Sequence, residues 1–317
     1  MRGLWMAGLG MAMTLLVGPV ASAQWVVAKQ DNERRDLNGV LFIDNRFGWV
    51  IGNRGMLVSS MDFGEEWVNM EAGRAGIGAA NLKDIFFLNR DDGWLVVSGG
   101  RLLRTADGGE TWQKGYELEG ARGRQAQGLN SVTFASKKRG WVVGTNGRIM
   151  KTTDGGQRWQ RQESGTSEEL VHVRFANDDC GWVVGANGTI LHTEDGGKNW
   201  EEQRTSVRGY LFHLDVRGRD NAWIVGENGA ILRTTNAGES WERVAVDTTR
   251  SLFNIAFADR PNGWIVGGKG TILRTSDGGR VWIEQEGGTR VDLYGLAITK
   301  KHVWATGEQG LIMRYAR

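Results

Sequence analysis

Short runs in which apolar and polar residues alternate recur along the chain, separated by glycine-rich turns. One stretch shows the unit clearly. Leu170-Val171-His172-Val173-Arg174-Phe175 alternates, Gly181-Trp182-Val183-Val184-Gly185 follows, and Asn187-Gly188 marks a tight turn. Then come Thr189-Ile190-Leu191-His192-Thr193 and a polar turn, Glu194 to Asn199, that ends at Trp200. Alternation with period two between turn residues predicts β-strands, and Asn-Gly predicts a hairpin. The unit is therefore four short antiparallel strands, with the fourth beginning at the tryptophan.

The unit repeats. Fourteen of the fifteen tryptophans fall on two interleaved ladders of seven. One ladder is Trp49, Trp94, Trp141, Trp182, Trp223, Trp264 and Trp304; the other is Trp25, Trp67, Trp112, Trp159, Trp200, Trp241 and Trp282. Only Trp5 stands outside them. A period of 40 to 47 residues with four strands per period predicts a radial array of small sheets. The expected fold is all-β, a seven-bladed propeller over 24–317. The last repeat lacks its own outer tryptophan, and Trp25 is the spare. The strand at Gln24-Trp25-Val26-Val27 is thus expected to close blade seven and leave no open sheet edge.

Between the third and fourth strands each of the first six repeats carries a loose Ser/Thr-x-Asp-x-Gly-x-x-x-Trp turn, the Asp-box, and the seventh lacks it. Its acids are Asp62, Asp107, Asp154, Asp195 and Asp277, with Asn236 in blade five. A carboxylate here can accept backbone N–H groups across the turn. A position that tolerates Asn needs an acceptor and not a charge, so these residues and the box tryptophans are read as structural.

Composition narrows the function. The start of the chain has Arg2, an apolar run from Leu4 to Val17, Pro19 and Ala21-Ser22-Ala23. That pattern predicts an export signal over 1–23, cleaved before Gln24, and a periplasmic or secreted protein. The whole chain has 39 basic and 37 acidic residues, which gives no reason to expect nucleic-acid binding. Cys180 is the single cysteine, so no internal disulfide is possible. It is read as a small residue tolerated in a turn. The four histidines, His172, His192, His213 and His302, show no metal-ligand spacing, and neither a metal nor another cofactor is expected.

Strand order places the loops before each inner strand at one mouth of the central channel. They carry Arg34 and Arg35, Arg74, Arg122 and Arg124, Arg208, Arg250 and Arg290, while blade four has Glu168-Glu169. Such arginines are either solvated loop residues or a docking surface, since the planar fork pairs with carboxylates and also buries apolar stem. A second cationic ladder in the third strands (Arg104, Lys151, His192, Arg233, Arg274 and Arg314, with Ser59 in blade one) is expected to lay its stems over neighbouring apolar surface.

The repeated Gly-Trp-Val-Val-Gly-x-x-Gly-x-Ile-Leu-x-Thr-x-Asp-Gly-Gly-x-x-Trp unit and the ending Gly310-Leu311-Ile312-Met313-Arg314-Tyr315 resemble the photosystem II stability/assembly factor family. The resemblance covers the whole mature chain. It implies a non-catalytic, monomeric propeller that binds a membrane protein or assembly intermediate through an arginine patch. Here that patch falls on Arg35, Arg124, Arg208, Arg250 and Arg290. Glu168 and Glu169, and the lack of a lipid-attachment cysteine, depart from the family pattern. The alternative is a secreted Asp-box glycoside hydrolase. Such an enzyme needs two facing carboxylates or a tyrosine nucleophile; the tyrosines are Tyr116, Tyr210, Tyr294 and Tyr315.

Overall fold

A computed structural model describes residues 24–70, 77–118 and 128–317. The export signal expected over 1–23 lies outside the described residues. Those residues form seven four-stranded antiparallel sheets arranged in a ring around a central channel. The inner strands are Leu37–Ile43, Leu82–Phe87, Leu129–Phe134, Leu170–Phe175, Leu211–Arg217, Leu252–Phe257 and Leu293–Ile298. Blade seven takes its outer strand from the other end of the chain: Trp25–Gln30 pairs antiparallel with Leu311–Ala316, Trp25 opposite Tyr315 and Val26 opposite Arg314. The ring is closed as the orphan tryptophan predicts.

The core lies between the blades. In five of the seven blades the second-strand tryptophan packs on a phenylalanine from the inner strand of the next blade. Trp49–Phe87, Trp94–Phe134 and Trp141–Phe175 have ring centroids 3.9, 3.8 and 3.5 Å apart. The box tryptophan of that next blade meets the same phenylalanine edge-on, at 5.9–6.1 Å for Trp112, Trp159 and Trp200. Aromatic sandwiches of this kind add to area burial because edge and face carry opposite partial charge.

The phenylalanine dictates its cross-strand partner. In register, Phe42, Phe87, Phe134, Phe175 and Phe257 each face a glycine: Gly48, Gly93, Gly140, Gly181 and Gly263. A Cβ on Gly181 would come within 2.6 Å of the Phe175 ring. Blade five instead pairs Val216 with Ala222, and blade seven pairs Ile298 with Val303. A smaller inner residue leaves room for a larger partner, so volume is conserved across the pair.

The Asp-boxes are local staples. The Ser60, Thr105, Thr152, Thr193, Thr234 and Thr275 hydroxyls donate to the acid, or to Asn236, at 2.7–2.9 Å. The same hydroxyls accept the N–H of the glycine two residues past the acid, at 2.8–3.0 Å. The Oδ1 of Asp62, Asp107, Asp154, Asp195, Asn236 and Asp277 then accepts a backbone N–H four residues on, at 2.9–3.2 Å. Asn236 does all this without a charge. At Asp195 burial pushes the carboxyl up, but bonds from Asn199, Thr193 and Lys198 outweigh it and hold it at about 2.

Four of the third-strand ladder residues lie over the inter-blade tryptophans, while Arg233 and Arg314 pair with Glu242 and Glu65. Arg104, Lys151 and Arg274 sit 5.3–5.7 Å from the centroids of Trp94, Trp141 and Trp264, and His192 stacks on Trp182 at 4.4 Å. Each is the register partner of its tryptophan. Cys180 is not at a turn surface. It is fully buried, with Sγ 3.5 Å from His192 Nε2, and burial pushes its thiol up to about 11. A thiol so held is not a nucleophile at neutral pH.

Candidate functional site: the channel mouth

Every inner strand carries a bulge at the same place. The pairing register slips between Leu37 and Gly39, Leu82 and Asp84, Leu129 and Ser131, Leu170 and His172, Leu211 and His213, Leu252 and Asn254, and Leu293 and Gly295. A bulge leaves one residue out of the ladder and re-aims side chains. The skipped residues are Asn38, Lys83, Asn130, Val171, Phe212, Phe253 and Tyr294, and all seven line the channel cavity of about 670 Å³.

The ring they form is two-sided. Blades one to three contribute amides and a lysine. Asn38 Nδ2 donates to the Leu82 carbonyl at 2.8 Å; Lys83 Nζ donates to Asn130 Oδ1 at 2.8 Å, and Asn130 Nδ2 to Glu169 Oε1 at 2.9 Å. Blades five to seven contribute a run of aromatic rings: Tyr210–Phe212 at 5.9 Å, Phe212–Phe253 at 5.4 Å and Phe253–Tyr294 at 5.3 Å. Periodicity alone could not reveal this half-ring, because the bulge breaks the alternation at these positions.

The loops that carry the predicted arginines pack on the second turns of the preceding blades. The Gly188 N–H donates to the Gly209 carbonyl at 2.8 Å, and that of Gly229 to the Arg250 carbonyl at 2.9 Å. Arg208, Arg250 and Arg290 are therefore at the same end of the channel as the aromatic rings, on the loops that enter the three aromatic blades. All three are exposed. Arg250 reaches Glu284 and the Thr271 hydroxyl, each at 3.2 Å. Arg208 and Arg290 make no ion pair or hydrogen bond among the described residues.

Arg35 departs from the expected surface role. It is 8% exposed, and its Nε and Nη2 hold the two oxygens of Asp31 at 3.0 and 3.1 Å. The fork of Arg35 in turn holds the Asp31 carboxyl below its ordinary range. Its guanidinium is already occupied by an intramolecular carboxylate four residues away, a pairing that loop sequence hides. Arg124 lies outside the described residues.

The tyrosines of the enzyme alternative are placed beside acids. Tyr210 donates to Glu169 Oε2 at 3.2 Å, and Tyr294 to Glu308 Oε1 at 3.3 Å. The Glu169 charge raises the Tyr210 hydroxyl, and burial followed by the Glu308 charge raises that of Tyr294. Both shifts oppose formation of a phenolate nucleophile. Among the described residues no three His, Cys, Asp or Glu side chains are grouped to hold a metal ion.

The family model for photosynthesis system II assembly factor YCF48 matches residues 17–114, 75–163, 159–250 and 240–316. The chain belongs to the YCF48 family. A solved YCF48 bound to a D1 peptide is 19% identical, with a TM-score of 0.75, covering 95% of this chain and 100% of the other. YCF48 from Cyanidioschyzon merolae is also 19% identical at 0.75, covering 93% and 99%. A catalytically inactive virginiamycin B lyase from Staphylococcus aureus, solved with quinupristin, is 15% identical with a TM-score of 0.76, covering 93% and 99%. At these identities the likeness to solved structures is one of fold. No curated protein matches the chain. Within the YCF48 family setting, no helix among the described residues is long and apolar enough to cross a membrane.

Proposed function

We propose that the protein is an exported, non-catalytic scaffold that binds a protein partner and helps assemble or stabilise a membrane protein complex. In the family setting that complex is a photosystem II reaction-centre intermediate. The observation that carries the reading is the clustering of exposed, uncommitted Arg208 and Arg290, with Arg250, on the loops that frame the half-ring Tyr210–Phe212–Phe253–Tyr294. Arginine beside aromatic rings is the composition of an interface hot spot. The YCF48 structure with a D1 peptide supports the same reading, because a family member there holds a peptide.

Binding is expected to use one sector of the mouth, blades five to seven, and an acidic segment of the partner. The test is capture from solubilised membranes by wild type and by the double reversal Arg208→Glu/Arg290→Glu. The reversal is expected to leave the thermal midpoint unchanged and to weaken capture at least ten-fold. Capture at wild-type level by the double variant refutes the assigned face. The same preparation incubated with sialosides and β-glucans tests the glycosidase alternative: turnover lost in Tyr210→Phe would favour it over the scaffold.

A further inference from the structure

Below the aromatic half-ring the channel changes character. His172 and His213 occupy the same position in neighbouring blades, and their rings are in contact at a tilt of 30° with centroids 3.8 Å apart. Their Nδ1 atoms are buried without a hydrogen-bond partner. Two residues along the same strand as His172 is Arg174, which also lines the cavity. Arg174 makes no ion pair or hydrogen bond among the described residues, yet its charge acts on both imidazoles and on Asp84.

The obvious internal counter-ions are already engaged. Asp84 accepts the N–H groups of Ile85 and Val132 at 2.8 and 2.9 Å. Asp215 accepts those of Val216 and Phe257 at 3.0 and 2.8 Å, and Arg217 lies 3.4 Å away. These two acids tie the inner strands of blades two and five to the next blade. Glu169, the third acid of the lining, is bonded to Asn130 and Tyr210, and the Arg174 guanidinium and the two imidazoles face the same cavity.

We propose that the middle of the channel seats a small oxyanion, a free carboxylate or phosphate, between Arg174 and the paired imidazoles of His172 and His213. The guanidinium fork matches two oxygens of such a group. The imidazoles can supply N–H donors alongside it. Burial, with Arg174 adding to it, holds His213 neutral with its pKa near 3 and places His172 well below its ordinary value. An anion beside them offsets the Arg174 repulsion and favours protonated rings. The wide cavity above, open to the mouth, admits a ligand of this size. The assignment is independent of the partner-binding reading, since it uses none of the mouth arginines.

The experiment is a titration of the full chain with sodium acetate and, separately, sodium phosphate, each against sodium chloride at equal ionic strength. The readout is the imidazole nitrogen spectrum. Saturable shifts of the His172 and His213 signals are expected with at least one of the two anions, and the one that saturates at lower concentration identifies the ligand class. Arg174→Met is expected to weaken binding at least ten-fold. If Arg174→Met fails to fold, Arg174→Lys serves, because loss of the fork should still raise the half-saturation concentration several-fold. Imidazole signals that move with neither anion, or that move equally in the Arg174 variant, overturn the proposal.

Discussion

At the scale of single residues, position in the hydrogen-bond network decides what an ionisable group does. Asp195 and Asn236 occupy equivalent box positions and make equivalent bonds, so the turn needs an oxygen more than a charge. Asp195→Ala should cost about 1 kcal/mol, the usual scale for a lost side-chain cap on backbone N–H groups, and Asp195→Asn much less. The charge adds a pH-dependent part. The carboxyl is held at about 2 in the fold against an ordinary 3.8. Its stabilisation is therefore present above pH ~3.8 and is lost as pH falls towards 2. Urea midpoints of wild type and Asp195→Asn should converge between pH 5 and pH 2; a constant gap refutes the assignment. The two arginine classes diverge in the same way. Arg35→Ala strands Asp31 in a nearly closed site and should cost ~3 kcal/mol, whereas Arg208→Ala should cost ~0.5 kcal/mol or less. Urea denaturation of the two variants separates them directly.

At the scale of the strand pair, the repeat is tuned by volume. A phenylalanine on the inner strand demands glycine opposite, and Val216 permits Ala222. Gly181→Ala should destabilise by ~1–3 kcal/mol through overpacking against Phe175. Adding Phe175→Val relieves the clash but gives up the stack on Trp141. The double variant should then lose less than the sum of the two single losses, with a coupling of ~1 kcal/mol or more in a double-mutant cycle. Strict additivity would show that the Gly–Phe pairing is incidental. The inner-strand bulge belongs to this scale too. It recurs in all seven blades, so it is a device of the fold, and only the identity of the skipped residue differs from blade to blade.

At the scale of the molecule, the ring is held shut by one strand from the beginning of the chain. Trp25 is 5% exposed and lies 5.6 Å from Tyr315, so the closure buries apolar surface as well as pairing backbone. A protein lacking 24–30 would open Leu311–Ala316 as a sheet edge. Unpaired edges invite association between chains. The truncated protein should melt markedly lower and self-associate in light scattering; a monomer with the wild-type midpoint would show that the closing strand is dispensable.

The sequence by itself determined the number of blades, the strand order within each, the box turns and the closing strand. All of these are written in local spacing: period-two alternation, fixed tryptophan intervals and turn residues whose bonds span only a few positions. What the tertiary structure decided is which residues meet at the axis. His172 and His213 look unrelated in a chain where they stand in different repeats, and ring geometry puts them in contact. Arg35 and Arg208 occupy the same kind of loop, and only the fold shows that Asp31 has claimed one of them. The aromatic half-ring was hidden because a bulge cancels the alternation that marks facing direction. Local order is set by short-range covalent and hydrogen-bond geometry, while the channel brings together residues about forty positions apart, as Asn130 and Glu169 are at their hydrogen bond.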